Sequence, residues 1–220
     1  IGQSNTCFIQ SDIENIVYNA KEESWTLFDR DGSVVKECPI LVLACSHGCL
    51  RFEQTKYLPV KKVHGQISYL PATHYSKKLN TIICGHGYLA PAQNNIHCCG
   101  ATYNKDVIDS SITTNDHEKN LEIISKTDFE LGKLFSRAPP ENLAGWAQFR
   151  CTTSDYLPIV GPVPDVERMV IDFHALRSNA RAPVTESGSY LKNLYINCGL
   201  GSRGLSYAPL TAEILASDIA

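Results

Sequence analysis

The sequence predicts a mixed α/β fold of the α+β kind, and three observations carry that expectation. Residues 40–44 (ILVLA) form a continuous apolar run, the pattern of a strand buried on both faces, as in a parallel sheet. From about Val63 to Tyr103, short apolar runs alternate with turn residues, the pattern of an antiparallel sheet. Leu121, Ile124, Leu131, Leu134 and Phe135 then recur at helical spacing.

Taken in order, residues 6–9 (TCFI) and 14–18 (ENIVY) read as short strands. Residues 25–28 and 33–35 flank Asp31-Gly32, whose glycine supplies the positive φ of a tight turn, so a β-hairpin is expected. The buried strand at 40–44 ends in a turn at Cys45-Ser46-His47-Gly48. Residues 64–70, 81–84, 87–90 and 97–103 are the antiparallel strands. Asn115 and Glu118 have capping-box spacing and open a helix that Ala138-Pro139-Pro140 stops. Residues 145–150 (GWAQFR) form another strand, and Pro158, Pro162 and Pro164 mark an irregular connection. Residues 170–173 and 194–197 return to strand character, with a polar loop over 174–192. A last helix runs from Pro209 to Ile219, with Pro209 in its first turn and Leu210, Ile214 and Leu215 on one side.

A chain of 220 residues can bury a sizeable core, and 43% hydrophobic with 20% charged residues is ordinary globular composition. A net charge of −3 excludes a global basic footprint for nucleic acid. There is no run of 18 apolar residues and no signal-peptide pattern, so no membrane span is expected. Nine cysteines, odd in number and irregularly spaced, indicate buried reduced thiols in a cytoplasmic protein. The sequence opens at Ile1 without methionine and reads as the interior of a fold, a fragment of a larger protein.

Four groups of residues could carry chemistry. Gly199, Gly201 and Gly204 have G-x-G-x-x-G spacing and enclose Leu200, Ser202 and Arg203. A dinucleotide fingerprint opens a βαβ unit and needs an acidic residue about 20 residues later. This stretch lies too near the end for that, so it is expected to act as a closing loop rather than a phosphate cradle. Arg150 ends a strand and offers a planar fork to a carboxylate; its alternative is a structural pair with Asp155. Tyr69, Tyr88, Tyr103 and His97 lie on the antiparallel strands and either line a pocket or are sheet residues with solvated tips. Cys45, His47 and Cys49 give half of a zinc pattern, and adjacent Cys98 and Cys99 point to opposite faces, so no metal site is expected. Gly-x-Ser-x-Gly does not occur, and no catalytic nucleophile or base is assigned.

Six stretches in order carry a resemblance: 64–73 (HGQISYLPAT), 84–92 (CGHGYLAPA), 97–103 (HCCGATY), 113–122 (TTNDHEKNLE), 145–165 (GWAQFRCTTSDYLPIVGPVPD) and 193–217 (NLYINCGLGSRGLSYAPLTAEILAS). Together they resemble the flavin-dependent oxidoreductases of the D-amino-acid oxidase and glycine oxidase type. More narrowly, the chain is similar to the C-terminal oxidoreductase part of the bifunctional enzymes of tRNA 5-methylaminomethyl-2-thiouridine biosynthesis. The resemblance implies a D-amino-acid-oxidase-like FAD fold. Residues 1–62 would be the middle of the FAD-binding domain, 63–149 an antiparallel substrate domain, and 150–220 the return of the FAD domain. It implies FAD as cofactor, approached by Gly199, Leu200, Gly201, Ser202, Arg203 and Gly204. Arg150, with Tyr88, His97 and Tyr103, would bind substrate.

The implied reaction removes the carboxymethyl group from 5-carboxymethylaminomethyl(-2-thio)uridine at the tRNA wobble position, leaving the aminomethyl uridine. The S-adenosylmethionine-dependent methyltransferase of such enzymes would be a separate upstream domain. A glycine- or sarcosine-type oxidase and a flavin-free RNA-binding fragment remain alternatives. The chain departs from the resemblance in three ways. The FAD fingerprint expected upstream does not occur in it, His64 stands where many relatives carry arginine before Gly-Gln, and Cys45-Ser46-His47-Gly48 replaces the more usual small-residue turn after the buried strand.

Overall fold

The computed structural model describes residues 6–185 and 187–220. It divides into two compact units, one formed by the described residues through Val60 with Thr152–Ala220, the other by Lys61–Cys151.

The first unit opens with an antiparallel meander of β1 (Ile13–Asn19), β2 (Ser24–Asp29) and β3 (Val34–Cys38), in the order β1-β2-β3. The β2–β3 turn forms as the sequence predicts. Gly32 sits at φ 78°, and the Asp29 carboxylate accepts from the amides of Asp31 and Ser33 at 3.0 and 2.9 Å. Trp25, buried on β2, donates its indole N–H to the Lys192 carbonyl at 3.0 Å, which ties the meander to the end of the chain.

A second sheet in this unit has the order β10-β11-β4, with β4 (Leu41–Leu43) parallel to β11 (Tyr190–Cys198) and β10 (Ile159–Pro164) antiparallel to it. The last helix, α4 (Gly204–Ile219), packs on β10 and β11, with Leu215 buried beneath it.

Several expectations for this unit are corrected. Residues 6–9 form no strand. The apolar run at 40–44 is an edge strand, with Leu43 buried but Ile40 and Val42 exposed, so burial on both faces does not hold. The proline-marked connection is strand β10; at a sheet edge the missing proline N–H breaks no ladder bond. Residues 170–172 belong to helix α3 (Val166–Asp172), with Phe173 as its C-cap, rather than to a strand. Asp165 caps α3 by accepting from the Arg168 amide at 3.0 Å, and Arg168 pairs with Asp172 one turn on at 3.0 Å. These polar contacts outweigh the β-branched run that suggested a strand. Helix α4 starts at Gly204, which leaves Pro209 in its interior rather than its first turn. Leu210 and Ile214 on it are exposed. Cys7, Cys45 and Cys84 are also exposed, whereas Cys49, Cys99, Cys151 and Cys198 are buried.

The second unit is a five-stranded sheet of order β6-β7-β8-β5-β9, built from β5 (Lys61–Pro71), β6 (Ile83–Cys84), β7 (Tyr88–Leu89), β8 (Ile96–Gly100) and β9 (Ala144–Thr152). Pairings within β6-β7-β8-β5 are antiparallel. Helices α1 (Thr114–Thr127) and α2 (Phe129–Phe135) cover one face. Leu70, Leu89, Cys99, Ile124 and Phe135 close the core there. The helix cap differs from the expected box. Thr113, not Asn115, accepts from the Asp116 amide, at 3.2 Å. Asp128 separates α1 from α2 and caps α2 through the Leu131 amide at 2.8 Å. Gly132 lets the two helices touch, because a Cβ there would lie 2.4 Å from Ser125 Cα.

A buried polar seat fixes α1 on β5. The Gln66 side chain donates to the Thr113 carbonyl at 2.9 Å and accepts from the Thr113 amide at 2.8 Å. Asn120 donates to the Gln66 carbonyl and to Ser68 Oγ, each at 3.0 Å. His117 Nδ1 meets Ser68 Oγ at 2.6 Å. Removing one partner of such a pair leaves a buried group unsatisfied, at a cost of about 1–3 kcal/mol.

Burial pushes the His117 imidazole below its ordinary pKa, against the opposing pull of Asp116. The folded state therefore favours neutral His117, and its contribution is complete above the unfolded value near 6.5 and is lost as pH falls below it. Urea unfolding should show stability falling between pH 7.5 and pH 5.5, with a shallower slope in His117→Asn. Equal slopes in the two proteins would contradict this role.

Candidate functional site

Strand alternation sorts the second unit's sheet into two faces. On β5, Gln66, Ser68 and Leu70 turn to the helices and are buried, while Gly65, Ile67 and Tyr69 are half-buried on the other side. On β8, buried Cys99 belongs to the helix-side core, and half-buried Cys98 meets the Tyr88 hydroxyl at 3.8 Å. On β9, Trp146, Gln148 and Arg150 share the face away from the helices. The opposite pair of faces was expected for Cys98 and Cys99, and the structure shows it.

Arg150 is the charged group of the open face. Its guanidinium donates to the Thr102 carbonyl at 3.1 Å and occupies the space above Gly65. An ideal Cβ on residue 65 would lie 1.7 Å from Arg150 Nη1, so any side chain there would displace the guanidinium tip. No described carboxylate pairs with Arg150; partial burial draws its pKa down, and Tyr88 and Tyr103 act against that. Asp155, the suspected structural partner, instead accepts from the Leu157 amide at 3.1 Å. Burial, followed by the neighbouring Cys98, pushes the Tyr88 hydroxyl up to about 12. Tyr88 therefore keeps its proton at neutral pH. Tyr103 is 45% exposed and stands at the rim.

His97 lies elsewhere. Its Nδ1 bonds the Ala90 carbonyl at 2.8 Å, its Nε2 bonds Ser76 Oγ at 2.9 Å, and its ring meets Phe135 edge-on. Both ring nitrogens are engaged inside the helix-covered core, so the structure does not group His97 with Arg150.

The glycine loop follows β11 in the first unit. Gly199 at φ 74° and Gly201 at φ 56° use the left-handed conformations that glycine adopts without strain. A Cβ at Gly199 would also meet Thr153 Cγ2 at 2.9 Å. Within this unit Leu200 forms an isolated antiparallel bridge with Thr152. Gly204 needs no special conformation, and nothing lies within 4 Å of the position its Cβ would take. Helix α4 begins there with no side-chain cap and no acidic residue in its first turn. Arg203 reaches Tyr207 Oη at 3.4 Å. Uncapped amides, open space at Gly204 and a cationic side chain suit a polar ring edge or an anion. The residues at 199–204 thus fit a flavin group held from one side, with the amides and Arg203 as donors.

Among the described residues no His, Cys, Asp or Glu cluster could hold a metal ion, and no helix is long and apolar enough to cross a membrane. Gly65 and Thr102 escaped sequence reasoning. A glycine inside a strand does signal close approach of another group, and Gly65 in HGQ carried that signal. Which side chain approaches is settled only in three dimensions. Replacing Gly65 by alanine should push the guanidinium off the Thr102 carbonyl and destabilise the chain by about 1.5–3 kcal/mol, the worth of a hydrogen bond from a charged donor. The Gly65→Ala/Arg150→Ala double variant should recover at least about 1 kcal/mol of that loss in denaturant unfolding. Strict additivity would show that the two positions do not share space.

The model of the family described as FAD dependent oxidoreductase matches residues 6–217. The tRNA 5-methylaminomethyl-2-thiouridine biosynthesis bifunctional protein MnmC of Stutzerimonas stutzeri is 40% identical over 197 residues, which cover 89% of this chain and 30% of that protein. The MnmC protein of Chromobacterium violaceum is 38% identical over 200 residues, with 91% and 30% covered. The chain thus spans under a third of these curated relatives. Among solved structures, glycine oxidase from Geobacillus kaustophilus superposes with a TM-score of 0.65 at 19% identity, over 94% of this chain and 47% of that one. L-proline dehydrogenase from P. horikoshii gives 0.63 at 16% identity, over 95% and 49%. These two establish the mixed α/β fold alone. With the family match running from residue 6 to residue 217, the chain belongs to the FAD-dependent oxidoreductases.

Proposed function

We propose that the protein carrying this chain is an FAD-dependent oxidoreductase that removes the carboxymethyl group from 5-carboxymethylaminomethyl(-2-thio)uridine at the wobble position of tRNA, in the cytoplasm. The observation that carries this reading is Arg150, a half-buried guanidinium on an open sheet face that no described carboxylate pairs. A guanidinium held by a neutral carbonyl gains from an anionic partner, and a substrate carboxylate supplies one with bidentate geometry. The similarity to MnmC proteins supports the choice of substrate.

In this reading Arg150 anchors the carboxylate and Thr102 holds the guanidinium in place. Protonated Tyr88 provides a neutral donor beside it, and Tyr103 borders the entrance. Gly199, Leu200, Gly201, Ser202, Arg203 and Gly204 hold the cofactor from one side. Bound FAD would supply the two-electron oxidation, a hydride leaving the methylene between amine and carboxylate and the amine proton passing to solvent. Water then adds to the resulting C=N carbon and the C–N bond breaks. Glyoxylate leaves, and the nitrogen remains on the uridine as an aminomethyl group.

The test uses the full-length protein and tRNA bearing the carboxymethylaminomethyl group, with glyoxylate release as the readout. Arg150→Ala should lower kcat/KM by about 10- to 100-fold, the effect of losing a charge-assisted contact of about 1.5–3 kcal/mol, and Arg150→Lys should recover part of it. Unchanged kinetics would remove Arg150 from the site. A flavin-loaded protein that oxidises free glycine or sarcosine and ignores this tRNA would replace the substrate with a free amino acid.

A further inference from the structure

Beyond Arg150, the open face of β9 carries two side chains that the amine chemistry leaves unused. Trp146 is 60% exposed, although tryptophan is among the most apolar large side chains. Gln148 between them is exposed, and its side-chain oxygen accepts only from the adjacent Phe149 amide, at 3.3 Å. The chain's other tryptophan, Trp25, is 2% exposed with its N–H bonded, as an aromatic with a purely structural role would be.

Strand geometry fixes the spacing of this row. Residues two apart on one face are about 6.6–6.8 Å apart, so Trp146 stands roughly 13 Å from Arg150 along the strand, with Gln148 midway. A substrate carboxylate held by Arg150 lies about 5 Å from the carbon that bears the side chain, counted over four extended single bonds. A substrate laid along β9 from the guanidinium brings its uracil ring near Gln148, whose amide can both donate to and accept from a base edge, and Trp146 one base further along. Lys61–Cys151 hold ten Lys and Arg against eight Asp and Glu, so this unit is formally cationic although the whole chain has a net charge of −3, the sign that favours a polyanion.

We propose that Trp146 is a stacking platform for the nucleobase adjoining the wobble uridine, and that Gln148 contacts the uracil edge, so that β9 reads the RNA while Arg150 holds the carboxylate. This inference rests on the substrate reading above. Base–aromatic stacking tolerates any base and is worth about 1–3 kcal/mol, and it requires the exposed flat face that Trp146 presents.

The test compares two substrates in the full-length protein: the modified tRNA, and the free 5-carboxymethylaminomethyl nucleoside, which has no flanking base. Trp146→Ala should raise KM for the tRNA about 5- to 100-fold, leave kcat within about twofold, and leave kcat/KM for the nucleoside unchanged. Trp146→Phe should restore most of the tRNA affinity. A 2-aminopurine placed beside the wobble position should be quenched on binding wild type and not Trp146→Ala. Equal KM values for the tRNA, equal loss on both substrates, or quenching that survives in Trp146→Ala would overturn the stacking role. If Arg150→Ala is also without effect, the substrate reading fails first; if Arg150→Ala is impaired and Trp146→Ala is not, only the stacking role fails.

Discussion

The close approach of Arg150 to Gly65 governs the candidate site. The guanidinium lies where a Cβ would be and is held by its bond to the Thr102 carbonyl. Its position is set by backbone on two sides, the Gly65 main chain below it and the Thr102 carbonyl beside it. Lysine could not reproduce this, because its ammonium is a point charge without a planar fork. The missing side chain at residue 65 and the fixed arginine at residue 150 are one feature. It costs the strand a glycine, which weakens a sheet interior, and it yields a cation oriented before any ligand arrives.

The opposite face of the same sheet explains why that orientation holds. Gln66 and Ser68, neighbours of Gly65 on β5, are locked to α1 through Thr113, Asn120 and His117. His64, on the same strand, also points to the helix side. It is 1% exposed and lies 3.6 Å from the Asp116 carboxylate. It therefore belongs to the core under α1 and not to the Arg150 face. A single strand thus separates a polar core that resists movement from an open surface that can take a ligand. The period of two along β5 is what keeps them apart.

Much of this was legible in the sequence where local chemistry dominates. Asp31-Gly32 specified its turn, the helical apolar stripe specified a covering helix that Asp128 in fact divides in two, and adjacent Cys98 and Cys99 specified opposite faces. The misreadings share a cause: apolar texture without its context. The run at 40–44 resembles a doubly buried strand, yet only its neighbours decide whether it is central or at an edge. Val170 and Ile171 are β-branched and apolar, but the Asp165 cap and the Arg168–Asp172 pair recruit them into a helix. His97 sits one residue from Cys98 and was expected at the pocket, and strand alternation turns it into the core. For the site, Arg150 was visible as a strand-end arginine, whereas Gly65, Thr102 and the row through Trp146 depend on which strands become neighbours.

The central claim is that Arg150 recognises a carboxylate, and charge on the substrate tests it most directly. The measurement is kcat/KM of the full-length protein for tRNA bearing the carboxymethylaminomethyl group and for the same tRNA with that carboxylate converted to a carboxamide, in wild type and in Arg150→Ala. Wild type should prefer the carboxylate by about 10-fold or more, and Arg150→Ala should lose that preference, the signature of a direct ionic contact. An equal preference in both proteins would contradict the account and place carboxylate recognition elsewhere.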